Sequence, residues 1–166
     1  GGHVTQAQVV EGSGVRVDGV TGLFGKSVKT SPQLRDLLFE VNGGANIHFG
    51  QHWLSAGEMA DPFGPQANYL TEFDPLRPLD RTRSGFFEML EDEIWTYQEA
   101  LGLEGSGQLG DGERLVLFGY NLVELCTRPT YLFFRSGAAE PVVWSAAIDW
   151  VQTYPDINGY LDALLP

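Results

Sequence analysis

The side chains best placed for chemistry form a run of acids around one tryptophan. Between Ser84 and Glu113 the chain carries eight acids and no base: Glu88, Glu91, Asp92, Glu93, Glu99, Glu104, Asp111 and Glu113. Within this run Phe87, Leu90, Ile94, Tyr97 and Leu101 recur at helical spacing, so Gly85–Leu101 reads as an amphipathic helix. Ser84 supplies its N-cap and Gly102 its stop. On that helix Glu88, Glu91, Asp92, Trp95 and Glu99 share the face opposite the apolar stripe. The like charges Glu88 and Asp92, one turn apart, weaken the isolated helix by about 0.2–0.5 kcal/mol, so local stability does not explain them. A tryptophan among carboxylates suits recognition of a basic protein: the indole anchors and the acids steer. The competing reading is a solvated face whose Trp95 is covered by the 60–85 segment.

Other candidate groups are sparser. His48 and His52, with Glu58 or Asp61, are a possible metal-ligand set. Their four-residue spacing gives a shared face on a helix but not reliably across a strand end, and a surface or core role is the simpler reading. Cys126 lies among Leu122, Val123 and Leu125, which reads as a buried, inert thiol. There is no G-x-S-x-G elbow, and Gly105-Ser106-Gly107 reads as a flexible turn. Gly110-Asp111-Gly112 and Gly12-Ser13-Gly14 lack the lysine and the strand–helix order of a phosphate loop, so no cofactor is expected. Paired carboxylates such as Asp92 and Glu93 are too plentiful to identify a general acid.

Composition narrows the function classes. The 166 residues hold 22 acids against 10 bases, for a net charge of −12. Nucleic acid and anionic membrane surfaces both need clustered Lys and Arg, so neither is an expected partner. A basic protein is the natural complement. One cysteine excludes an internal disulfide. No apolar run reaches transmembrane length. The start lacks a basic and then apolar leader, and Gly1-Gly2-His3 reads as a tag remnant. The expectation is a cytoplasmic protein with one domain over residues 4–166. Its bases are eight Arg and two Lys, a bias that suits a GC-rich, actinobacterial genome.

The elements that must position these groups are legible in outline. Ser31-Pro32 opens a helix over 32–42 whose apolar face is Leu34, Leu37, Leu38 and Val41. Asn42-Gly43-Gly44 is expected to stop it, and Ile47, Phe49 and Trp53 to follow as a short strand. Residues 8–30 read as a short hairpin or a strand and loop. Residues 60–85, with prolines at 62, 65, 75 and 78, exclude a long helix. Loop 102–113 is glycine-rich and expected to be flexible. Strands are expected at Leu115–Phe118, Thr130–Arg135 and Pro141–Ser145. Pro155-Asp156 starts a last helix with Ile157, Tyr160, Leu161 and Leu164 on one face.

The helix–Asn-Gly-Gly–strand order, and the closing run Tyr154-Pro-Asp-Ile-Asn-Gly-Tyr-Leu-Asp-Ala-Leu-Leu165, resemble the SMI1/KNR4-like (SUKH) domains. The resemblance covers roughly residues 31–60 and 113–165 and departs in the middle. It implies an α+β fold: a mixed or antiparallel sheet of about five or six strands, covered by helices 32–42, 85–101 and 156–165. It also implies a non-enzymatic immunity protein that binds one-to-one and occludes the active site of a cognate toxin. A toxin cleft lined with Arg and Lys for phosphate, whether a nuclease or an NAD-glycohydrolase, would meet the acidic face. The alternative is a small acidic enzyme or ligand-binding protein, with carboxylates around an aromatic pocket drawn from Trp53, Trp95, Trp144 and Trp150.

Overall fold

The computed structural model describes residues 8–11, 17–22, 27–47, 51–60, 94–99, 102–123, 126–146 and 151–164. Ser31 caps helix α1 (Pro32–Glu40): its Oγ accepts the Leu34 N–H at 3.2 Å, and Pro32 occupies the first turn, where a missing N–H does no harm. Leu34 and Leu38 are buried beneath it.

The helix does not end on Asn42-Gly43-Gly44 as expected. It passes at Val41 directly into strand β4 (Val41–Ile47), and the Val41 N–H reaches back to the Leu37 carbonyl. The Asn-Gly-Gly run lies inside the strand for tertiary reasons. Gly43 is buried at φ +92°, where a Cβ would stand 3.0 Å from the Ser55 nitrogen and 3.2 Å from the Trp53 carbonyl. Asn42 Oδ1 accepts the Ala56 N–H at 2.9 Å, capping a helix fourteen residues away. That helix, α2 (Ala56–Ala60), follows strand β5 (Gln51–Trp53). Its first turn is a capping box: Ser55 Oγ accepts from the Glu58 N–H, and Glu58 Oε1 from the Ser55 N–H.

Strands β6 (Arg114–Val123), β7 (Cys126–Phe134), β8 (Val142–Ala146) and β9 (Val151–Tyr154) continue the sheet. Its order is β1-β4-β5-β6-β7-β8-β9, with β1 (Gln8–Glu11) on the edge beside β4 and every pairing antiparallel. From β4 onward the described strands pair in chain order, the arrangement short connections favour. A separate hairpin, β2 (Gly19–Thr21) with β3 (Ser27–Lys29), realises the pattern expected for 8–30. The fold is therefore α+β, with seven strands in the main sheet rather than five or six. The strands not expected are β4, whose first residues were read as a helix end and its stop, and the terminal strand β9.

Both faces of the sheet are covered at its centre. Helix α4 (Ile157–Leu164) buries Ile157, Tyr160 and Leu164. The Tyr160 hydroxyl receives the Trp53 indole N–H at 3.4 Å and donates to Gln51 Oε1 at 3.1 Å, and its ring meets Phe118 edge-on. Residues 94–99 form helix α3 on the other face. There Tyr97 meets Phe133 edge-on, with centroids 4.9 Å apart, and lies 4.9 Å from Trp144. Strand side chains alternate between faces, so Tyr131 and Phe133 serve α3 while Thr130 and Leu132 serve α4. One continuous core joins these elements, from Val20 and Val28 through the central strands to Leu164.

Candidate partner-binding surface

On α3 the expected division of faces holds for the described residues. Ile94 and Tyr97 are buried, while Trp95 is 52% exposed and Glu99 lies in solvent. Glu88, Glu91 and Asp92, and the stripe residues Phe87, Leu90 and Leu101, lie outside the described residues. So do residues 61–85, nearly all of the segment expected as the alternative cover for Trp95. Burial of Tyr97 pushes its hydroxyl well above the usual tyrosine range; Arg135 opposes that shift and Glu113 adds to it.

What backs Trp95 is loop 102–113. A Cβ on Gly107 would collide with the indole nitrogen and its neighbouring carbon, and Gly107 adopts φ +71°. Gln98 folds the glycine-rich loop onto α3. The Gln98 side chain accepts the Gly107 N–H at 3.2 Å and donates to the Gln108 carbonyl at 2.9 Å, and the Gln98 carbonyl takes the Leu103 N–H at 2.8 Å. Gln98 is itself 9% exposed, so these bonds form largely away from water. The sequence held a signal for this anchor: a glutamine four residues after Ile94, in the middle of an apolar stripe. The partners that satisfy it belong to a glycine-rich loop with no regular periodicity.

The result is a half-exposed aromatic side chain packed against the loop, on a stretch of chain rich in acids. Leu103, 40% exposed, extends the apolar contribution from the same loop. Glu99, Glu104 and Asp111 are all exposed in this region of the chain, and none of the described residues 94–113 is basic. Trp and Leu can enter a partner's pocket, and the carboxylates can meet its Arg and Lys side chains.

The other sequence-level candidates are placed elsewhere. Trp53 and Trp144 are buried core residues, 8% and 0% exposed, and do not join Trp95 around a pocket. Trp150 lies outside the described residues. His52 pairs with Tyr120 across β5 and β6, and Glu58 serves the capping box of α2. His48 and Asp61 lie outside the described residues, within which no group of three or more His, Cys, Asp or Glu converges for a metal ion. Cys126 opens β7 opposite Val123. Among the described residues no helix is long and apolar enough to cross a membrane.

Compared with protein families, characterised proteins and solved structures, the chain matches none.

Proposed function

We propose that this chain is an immunity protein of SUKH type, a non-enzymatic inhibitor that binds a cognate toxin one-to-one and occludes its active site. The observation that carries the reading is Trp95: half-exposed on a helix whose inner face is locked into the core, backed by Gly107, in an acidic chain. Such a side chain loses little freedom on binding, which is the economy that lets one aromatic anchor dominate an interface. The partner is a basic-cleft toxin whose Arg and Lys side chains otherwise hold substrate phosphates. Trp95 and Glu99 cover that cleft, together with Glu88, Glu91 and Asp92, which the sequence spacing assigns to the same face.

The particular toxin we propose is an NAD-glycohydrolase of the mycobacterial necrotizing type, with a nuclease as the second target chemistry. The chain acts in the producer's cytoplasm. Titration into the purified toxin domain should abolish NAD hydrolysis at one equivalent and yield a one-to-one complex by mass. Trp95→Ala combined with Glu91→Lys and Asp92→Lys should keep the fold and weaken the complex by about 3–5 kcal/mol. Undiminished NAD hydrolysis, together with undiminished activity of basic nuclease domains, would overturn the inhibitor reading. Full inhibition by the triple variant would move the interface away from α3.

A further inference from the structure

On the opposite face of the sheet from Trp95, helices α1 and α4 leave an open groove of about 350 Å³ between them. It is lined by Leu37, Phe39 and Leu161, with Asp36 and Glu40 along the α1 side and Gln33 and Asn158 at one end. Phe39 is 47% exposed, a large apolar side chain that the described residues leave half uncovered. Among the described residues that line it, the two charged ones are both acids and none is basic.

The groove is preformed by its own polar bracing. Gln33 Oε1 accepts the Asn158 N–H at 2.9 Å, and Gln33 Nε2 donates to Asp156 at 3.3 Å. Asp156 in turn caps α4 by accepting the Gly159 N–H at 2.7 Å. Glu140, from the turn before β8, accepts the Gln33 N–H at 3.1 Å and fixes the start of α1. The two helix N-termini are thus tied to each other, and the groove needs no closure to form.

We infer that this groove is a second docking site, separate from the Trp95 surface, for an amphipathic basic segment of a protein partner. An aliphatic or aromatic side chain of that segment would sit against Phe39, Leu37 and Leu161, and its Lys or Arg side chains would meet Asp36 and Glu40. Charge decides between the occupants. A second copy would bring Asp36 and Glu40 against themselves on a chain of net charge −12, and an anionic lipid surface would be repelled equally. A basic segment gains at both the apolar floor and the acidic wall.

The test uses the full chain and two probe peptides, a short amphipathic Lys/Leu peptide and its Glu/Leu counterpart. The Lys/Leu peptide should shift the amide resonances of Asp36, Phe39, Glu40, Asn158 and Leu161. Phe39→Ser, and separately Asp36→Lys with Glu40→Lys, should weaken it by about tenfold or more. Asp18→Lys with Asp162→Lys changes net charge by the same amount at exposed positions that line neither docking surface and should alter affinity by less than about twofold. All five substituted residues are solvent-exposed, so circular dichroism should show the fold retained. Shifts confined to other residues, or equal weakening by both charge reversals, would overturn the proposal and leave only diffuse attraction. Equal binding of the Glu/Leu peptide would overturn the basic chemistry. A dimer of the free chain that Phe39→Ser dissolves would give the groove to a second copy instead. None of these readouts involves a toxin, so failure here leaves the toxin-inhibitor reading standing.

Discussion

The indole edge of Trp95 occupies the space a Cβ on Gly107 would need. The loop therefore has a glycine there for two reasons, the close approach and the left-handed φ of +71°. Gly107→Val should displace the ring and strain the backbone, with a stability loss of about 1–3 kcal/mol. Acrylamide quenching of tryptophan emission should rise, and affinity for the partner should fall toward that of Trp95→Ala. Unchanged quenching and stability would show that this contact does not hold the indole.

Gln98→Leu keeps much of the side-chain volume and deletes both loop anchors. The Gly107 N–H and the Gln108 carbonyl lose the partners they have in the folded loop. The expected loss is about 1–3 kcal/mol in denaturant unfolding. Limited proteolysis should also cut within 102–113 much faster than in the native chain, while the core strands stay protected. Equal cleavage rates would place the loop's support elsewhere.

Two buried tyrosines make a contrasting pair. Tyr160 bridges Trp53 and Gln51, so Tyr160→Phe should cost about 1–3 kcal/mol by leaving buried polar groups without this partner. The Tyr97 hydroxyl has no hydrogen-bond partner among the described residues, so Tyr97→Phe should be neutral or slightly stabilising. Thermal unfolding of the two single variants separates them, and similar losses in both would contradict the assignment.

The same hydroxyls predict an alkaline limit to stability. Burial raises the pKa of Tyr160 from 10.0 to about 12, and raises those of Tyr97 and Tyr154 as well. A folded pKa above the unfolded one means that the unfolded chain holds fewer protons at high pH. Stability is then fully present below pH 10.0 and falls as pH rises from there through about 12. Phenolate absorbance should appear in two stages, with the buried group ionising only as near-ultraviolet dichroism is lost. A single early titration of all six tyrosines would refute this.

Gly43→Ala should test the corrected reading of the Asn-Gly-Gly run. A methyl group at φ +92°, 3.0 Å from the Ser55 nitrogen, strains the β4–α2 corner by about 1–3 kcal/mol. Asn42→Ala should cost about 1 kcal/mol by removing a cap from α2, not from α1. Amide exchange that speeds at Ala56 while α1 stays protected would locate the effect; faster exchange throughout α1 would restore the helix-stop reading.

Local patterns determined much of this protein. Ser31-Pro32 at the start of α1, the apolar spacing of α1 and α4, and the outward placement of Trp95 and Glu99 follow from period and capping chemistry within a few residues. The strands at 115–118, 130–135 and 141–145 are likewise legible as continuous apolar runs, because a central strand is buried on both faces. Tertiary structure alone decided the rest. Asn42 and Gly43 look like a helix stop, yet they serve a corner whose partners, Trp53 to Ala56, lie ten or more residues on. Gly107 looks like a free turn until the Trp95 ring arrives. The groove between α1 and α4 depends on Gln33 meeting Asn158, 125 residues away. Helical period and capping are short-range effects written into neighbouring residues. Close approach and cross-chain hydrogen bonding depend on which distant surfaces the sheet order brings together.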